Sequence, residues 1–370
     1  MFSQPVRVLM LTKYGALGAS SRLRSLQYLP GLLSAGLQVT VQCLLPSEHL
    51  EARYQRGQYA VVGLMKNYAK RCHTLLKRSQ FDVVWIEKEA LPWWPLWLER
   101  SLLRNVPYVL DFDDAIFHNY DQHRMAWVRQ VFGRRLDGLM AGAALVICGN
   151  PYLAQRARDA GAKWVTMLPT AIDLQRYPYP SAKLTLPPNP VDVPRIVWIG
   201  TPSTVRYLQV LAVPLQALAK QHKFVLRVIG GGPIDLPGVP LERLPWSEDT
   251  EVAHISACDV GVMPLVDSAF ERGKCGYKLI QYMACGLPVV ASPIGVNMQI
   301  VQPGVNGFLA NTSAQWQDAL AQLLLDSVQR SKIGCAGRLQ VEQTYCIQQT
   351  GPQLAALLRS VAKGGCACAA

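Results

Sequence analysis

With 370 residues the chain exceeds what one hydrophobic core usually organises, so two domains are expected. Half of the residues are hydrophobic and 17% are charged, which excludes an intrinsically disordered chain. The formal net charge is +12 and uneven: residues 1–180 carry 22 Lys and Arg against 13 Asp and Glu, residues 181–370 carry 15 against 12. Such an excess suits nucleic acid, an anionic membrane surface or anionic substrates. No nucleic-acid motif accompanies it, so nucleic acid is not expected as a partner. No apolar run approaches the ~18–20 residues that span a bilayer. The start, MFSQPVRVLMLTKYG, has no long apolar core and is read as carrying no signal peptide. Ten cysteines without paired spacing suit free thiols in a reducing cytoplasm, the expected location.

In chain order, strand-type runs fall at 6–11, 38–44, 82–86, 108–112, 144–148 and 164–167. Helical patterns lie between them, near 22–35, 61–79, 93–104, 123–141 and 150–160. This alternation predicts a parallel sheet with helices on both faces. A proline-rich break follows at 174–194, LQRYPYPSAKLTLPPNPVDVP, which cannot be regular helix or central strand and is read as a linker. The alternation then restarts, with strands at 196–199, 224–229, 259–262 and 288–291. Helical patterns follow near 204–220, 249–256, 276–285, 314–325 and 327–342. The expected fold is α/β: two doubly wound, Rossmann-like parallel-sheet domains facing a cleft. The boundaries read 1–176 for the first domain, 177–194 for the linker and 195–346 for the second domain. Residues 347–370 read as a C-terminal helix that can pack back on the first domain, with a flexible tail.

Candidate ligand-contacting residues cluster after the strands. Residues 15–24, GALGASSRLR, open a helix: Gly18 permits a tight turn, Ser21 can cap, and Arg22 and Arg24 can meet an anion. An ordinary β-to-α turn explains the same residues, and the dinucleotide fingerprint is absent. Asp111, Asp113 and Asp114 end a strand, where carboxylates suit hydroxyl recognition, a shifted pKa or a metal. The alternative is a capping cluster with an internal basic partner. His118 can face the cleft or be structural. Gly200 and Thr201 follow a strand of the second half, with Arg206 offering a fork to phosphate. Gly230-Gly231-Gly232 allows close backbone approach to a flat ring or sugar, or is a tight turn alone.

The most informative stretch is 267–297, DSAFERGKCGYKLIQYMACGLPVVASPIGVN. Arg272, Gly273, Lys274, Cys275, Gly276 and Lys278 make a glycine-rich cationic turn before a helix. Backbone N–H groups and the helix dipole there suit an anion, in first place phosphate.

Two basic segments suit a membrane surface. In 64–78, Leu64, Tyr68, Cys72 and Leu75 repeat at helical spacing among five cations; in 123–141, Met125, Val128, Phe132, Leu136 and Leu139 do so among four. Trp93, Trp94 and Trp97 add interfacial character, although a stripe flanked by charge also describes a helix docked on its own core.

The run KLIQYMACGLPVVASPIGVN, then IVQPGVNGFLA at 300–310, resembles the "EAMA-x-G-x-PVV … G … NG" block of family 4 glycosyltransferases, retaining enzymes of the GT-B fold. DVGVMPL at 259–265, WIEKEALP at 85–92, DFDDAIFH at 111–118, GNPYLA at 149–154 and PTAID at 169–173 are similar to further parts of that family. The resemblance implies transfer of a sugar, a hexose in first place, from a nucleotide diphosphate-sugar, with retention and with neither metal nor cofactor. The acceptor would be a lipid-linked or cell-surface glycan precursor, handled on the cytoplasmic face of a membrane. The family carries two glutamates eight positions apart; here Gly273 and Gln281 occupy those places. Gln281 can still hydrogen-bond a ribose hydroxyl, and Glu271 can substitute for the first glutamate. Asp113 or Asp114 stands near the family's histidine, and Arg206 and Lys274, with Lys278 behind them, are the candidates for the diphosphate grip. A non-catalytic scaffold of the same fold that binds a nucleotide or glycan is the alternative, motivated by the absent glutamates. A nucleotide-sugar epimerase is a weaker third reading.

Overall fold

The computed structural model describes residues 4–49, 61–178 and 193–365. The chain divides into two compact units. The first comprises Met1–Ala171, Gly273–Cys275 and Ile347–Ala370; the second comprises Ile172–Arg272 and Gly276–Cys346. Of the proline-rich break, 179–192 lies outside the described residues.

The first unit holds a six-stranded parallel sheet in the order β2-β1-β3-β4-β5-β6. Its strands are β1 Arg7–Tyr14, β2 Gln38–Leu45, β3 Val83–Glu87, β4 Tyr108–Phe112, β5 Leu145–Cys148 and β6 Val165–Met167. Successive side chains of a strand point to opposite faces, and both faces are covered. Leu9, Leu11, Leu110 and Phe112 enter one core, while Val8, Met10 and Val109 enter the other. The second core is completed by the helix Ile347–Ala362, whose Leu354, Ala355, Leu358 and Val361 pack beneath the sheet. The Tyr28 and Thr350 hydroxyls share a hydrogen bond of 2.9 Å at that seam.

The second unit repeats the plan in the order β12-β11-β10-β7-β8-β9. Its strands are β7 Arg195–Gly200, β8 Val225–Gly230, β9 Leu241–Leu244, β10 Val260–Met263, β11 Val289–Ala291 and β12 Gly307–Leu309. Val197 and Ile199 enter one core, Ile196 and Trp198 the other. All inter-strand pairings in both sheets are parallel.

Every expected strand is present, displaced by no more than a few residues. Two edge strands escaped the pattern, β9 with the mixed sequence LERL and the three-residue β12. The single helix expected over 123–141 is two, Ala126–Phe132 and Arg135–Gly142. The break falls at Gly133, where a Cβ would lie 2.3 Å from the Arg129 carbonyl oxygen. The helix expected over 204–220 begins as a 3-10 helix, Val205–Leu211, before Ala212–Ala219.

The two segments read as membrane-facing dock most of their noted stripes on the protein's own core, while Met125 is exposed. Leu75 is fully buried, Tyr68 stacks on Trp94, and Val128, Leu136 and Leu139 are buried. Two of the noted tryptophans, Trp93 and Trp97, are exposed, as are Trp127, Val131, Arg124, Arg129 and Arg134. Among the described residues no helix is long and apolar enough to cross a membrane.

Leu358→Ala should lower unfolding free energy by about 2–5 kcal/mol, the range for emptying a buried leucine site. Gln353→Ala, on the exposed side of the same helix, should stay within about 0.5 kcal/mol. Urea denaturation of both variants checks whether this helix is part of the first unit's core.

Candidate functional site

Each sheet has one point where strand order reverses, and there neighbouring loops diverge and leave a crevice at the carboxyl ends. In the first sheet this lies between β1 and β3, in the second between β7 and β10.

At the first switch point the loop after β1 carries the short helix Ala19–Arg24. Its N-cap is Gly18 rather than Ser21, which corrects the expected capping role. A Cβ at Gly18 would lie 2.3 Å from Tyr14 Cβ, so glycine is required there. Ser21 is buried; its hydroxyl accepts from the Tyr14 N–H at 2.9 Å and donates to Glu87 at 2.5 Å. Arg22 is also buried and donates to the Ala16 carbonyl at 3.0 Å.

Arg24 and Asp111 form a buried ion pair, with Arg24 Nε donating to Asp111 Oδ1 at 3.0 Å. Arg24 also donates to the Leu168 carbonyl at 2.9 Å, so its guanidinium is directed into the unit and not toward a bound anion. Burial opposes its charge, but Asp111, helped by Tyr28, Cys275 and Asp113, outweighs that and raises the guanidinium pKa. Asp111 thereby has the internal basic partner that the alternative reading of the cluster required.

Asp113 and Asp114 belong to a second group. Lys88 Nζ stands 2.8 Å from Asp113 Oδ1, 3.9 Å from Asp114 Oδ2 and 2.7 Å from Ser20 Oγ. Ser20 in turn donates to Asp113 at 2.5 Å. Burial opposes the charges of both Lys88 and Asp113. Their mutual attraction wins, raising the ammonium pKa and lowering the carboxyl pKa. Lys88 stands inside the run WIEKEALP, where its alternation with Glu87 and Glu89 after an apolar strand is the sequence signal for it. His118 is braced on both ring nitrogens, 2.8 Å each from Asp121 Oδ1 and Tyr152 Oη.

Beyond β5, Asn150 caps the helix Pro151–Asp159 by accepting from the Leu153 N–H at 2.9 Å. Its amide donates to the carbonyls of Gly273 at 2.8 Å and Lys274 at 3.0 Å. Gly273 lies so close to Ala115 that a Cβ would come within 2.4 Å of the alanine Cβ. Cys275 is buried in the core, and its Sγ would lie 2.3 Å from a Cβ placed on Gly149. Gly273 and Cys275 therefore have packing roles, while Lys274 remains half-buried.

At the second switch point, Gly200 ends β7 and Thr201 follows it. The Thr201 N–H donates to Thr204 Oγ1 at 3.0 Å, and the Thr201 and Ser203 hydroxyls are 2.9 Å apart. The turn after β8 has Gly230, Gly231 and Gly232 all in left-handed backbone, at φ 77°, 61° and 95°. A Cβ at Gly230 would lie 2.2 Å from the Gly200 carbonyl oxygen, and the Gly231 N–H donates to that oxygen at 2.8 Å. The two glycine turns are thus hydrogen-bonded edge to edge.

Arg206 is exposed just inside the following 3-10 helix, its guanidinium carbon 5.2 Å from the Tyr207 ring centroid. The Tyr207 and Ser268 hydroxyls both donate to Glu271, which is buried. Gly276, at φ 66°, is the N-cap of the helix Tyr277–Ala284, with no side chain capping it and no acid in its first turn. Lys278 Nζ lies 4.7 Å over the Trp198 ring. Gln281 is buried and donates to the Tyr177 hydroxyl at 2.9 Å, so its amide nitrogen is engaged within the unit. Arg272 is exposed and pairs with Asp267 at 2.7 Å. Tyr177, Tyr207 and Asn150 were not anticipated from sequence, because each is defined by a partner more than 60 residues away.

Residues 193–326 match the profile of the family described as Glycosyl transferases group 1. A D-inositol 3-phosphate glycosyltransferase of Xylanimonas cellulosilytica is 28% identical over 237 residues, 55% of this chain and 55% of that protein. The alignment thus spans about half the length of that curated relative. Among solved structures, sucrose-phosphate synthase from Thermosynechococcus elongatus superposes with a TM-score of 0.70 at 14% identity, covering 97% of this chain and 100% of that chain. Anabaena Alr3699/HepE in complex with UDP-glucose superposes with a TM-score of 0.69 at 18% identity, covering 96% and 99%. At these identities the structural likeness shows the fold. Residues 193–326 are thus similar to the group 1 glycosyl transferases, and the chain as a whole has the GT-B fold of these solved structures.

Proposed function

We propose that the protein transfers a sugar, in first place a hexose, from a nucleotide diphosphate-sugar to a lipid-linked or cell-surface glycan acceptor. Transfer proceeds with retention and without a metal. The observation that carries this reading is the second switch point. There Arg206 and Lys278 flank two glycine turns and a helix N-terminus that no side chain caps. Cleavage of the sugar–phosphate bond leaves negative charge on the diphosphate. Fixed cations and a helix end stabilise that charge as it develops, with little reorganisation. In this reading Arg206, Lys274 and Lys278 neutralise the diphosphate, and Gly200, Thr201 and Gly231 allow the backbone close to it. Glu271, oriented by Tyr207 and Ser268, accepts from donor hydroxyls. In the first unit, Asp113 and Asp114, set by Lys88, are the carboxylates assigned to sugar hydroxyls in this reading. Solved relatives described as complexes with UDP and with UDP-glucose support a nucleotide-sugar donor.

The exposed Trp93, Trp97, Trp127 and Val131 beside Arg124, Arg129 and Arg134 support a second part of the proposal. They form a peripheral contact with an anionic membrane surface, indoles at the headgroup level and cations toward the lipid charge.

Thermal-shift titration with UDP-, GDP-, ADP- and dTDP-sugars and their nucleotides, in chelator, should show one base stabilising the protein. A hundredfold excess over Kd corresponds to about 2.7 kcal/mol. Arg206→Ala, Lys274→Ala and Lys278→Ala should each weaken that nucleotide tenfold or more; an unmoved melting temperature across the panel would sink the reading. Vesicles rich in anionic lipid should co-sediment the protein at low salt and release it as salt rises. Replacing Arg124, Arg129 and Arg134 together by Glu should abolish that binding.

A further inference from the structure

The loop at 88–95 in the first unit is built for more than closing the sheet. Two of its residues with a Cβ sit in left-handed backbone, Lys88 at φ 63° and Trp93 at φ 64°. That conformation is strained for both, and it persists only where the surroundings over-determine it.

Buried charge supplies the determination. Glu99 accepts from the N–H groups of Ala90 at 2.7 Å and Leu91 at 3.3 Å. Arg135 donates to the Leu91 and Trp94 carbonyls at 2.6 Å each, and ion-pairs with both Glu89 and Glu99. The Trp93 N–H donates to Tyr120 Oη at 3.2 Å, and that hydroxyl donates to Glu89 at 2.9 Å. Glu89, Glu99 and Arg135 are all buried. Two carboxyls and a guanidinium are thus withdrawn from water to satisfy the backbone of one short loop. Such networks tend to be neutral for stability against an apolar core, so their role here is to fix a conformation.

What the conformation presents is the Trp93 indole, 49% exposed and packed edge-on against Tyr120 at 4.8 Å and Phe132 at 6.1 Å. The indole lines a cavity of about 420 Å³, together with Lys13, Asn119, Gln122, His123 and Arg124. That volume falls within the roughly 300–1,000 Å³ of small-molecule sites. Glu89 is the sole carboxylate in the lining, and it is matched by Arg135. Lys13 and Arg124 therefore set the sign of the cavity's field. An indole face accepts the polarised C–H face of a pyranose, two amides suit its hydroxyls, and the cations suit an attached anion.

We infer that this cavity binds an anionic saccharide, a sugar carrying a phosphate, diphosphate or carboxylate, as the acceptor of the proposed transfer. The acceptor role rests on the transferase reading; the binding chemistry does not. Calorimetric titration of the full-length protein with glucose 1-phosphate, glucuronic acid, maltose and inorganic phosphate tests it. The two anionic sugars should bind at least tenfold tighter than maltose, and glucose 1-phosphate tighter than phosphate. Trp93→Leu should weaken glucose 1-phosphate about tenfold while Trp93→Phe retains it. Lys13→Gln with Arg124→Gln should erase the preference over maltose. A short-chain polyprenyl diphosphate glucose in the same titration separates the sources. Tighter binding that falls with Trp127→Ser assigns a lipid-linked acceptor, and parity with glucose 1-phosphate assigns a free sugar phosphate. Equal affinity for maltose, parity of phosphate with glucose 1-phosphate, or unchanged binding in a folded Trp93→Leu variant overturns the inference. The nucleotide thermal shift is read on the same samples. Its loss with saccharide binding intact overturns the transferase reading alone, and the converse overturns the cavity alone.

Discussion

Both faces of each parallel sheet are covered by apolar side chains, and this burial governs where polar chemistry can stand. Val8, Leu9, Met10 and Leu11 enter two opposed cores along one strand, as Ile196, Val197, Trp198 and Ile199 do along another. A ligand-binding carboxylate or cation in the middle of such a strand would be stranded without water. The strand ends are what remains, and the reversal of strand order opens two of them in each unit. The clusters around Lys88 and around Glu271 occupy those openings.

The same burial reassigns much of the positive charge. The first half holds most of the chain's excess, yet Arg22, Arg24, Arg71 and Arg135 are buried. Arg71 donates to the carbonyls of Thr12, Gln42 and Ala90, a strut between a helix, the strands β1 and β2 and the loop after β3. Burial pulls its pKa down to about 10, partly opposed by nearby negative groups. Arginine suits such work because its planar fork satisfies several oxygens at once. Charge counted from composition therefore overstates what the surface offers a membrane or a substrate.

Strand positions were legible because apolar runs bounded by turn residues survive in one sequence. β9 and β12 were not, since edge strands need little apolar continuity. Glycines were legible as turns but not as to cause. Gly230 answers to the neighbouring Gly200 carbonyl, and Gly273 to Ala115, more than 150 positions earlier. The Arg24–Asp111 pair joins residues 87 positions apart, a distance over which spacing carries no signal. Gln281 marks the boundary of family resemblance: the helix is where the motif implies, and the amide binds Tyr177.

The first unit is assembled from both ends of the chain, and this orders the events of synthesis. The second unit is almost entirely encoded between residues 172 and 346, so it can fold while translation continues. The first unit's sheet is complete by residue 167, but one face is only partly covered, by Tyr28, Leu32 and Leu37, until Leu354, Leu358 and Val361 leave the ribosome. At about 5–20 residues per second that interval is roughly 10–40 s. During it the nascent chain displays the apolar part of the sheet face that the C-terminal helix will cover, a natural client surface for a chaperone.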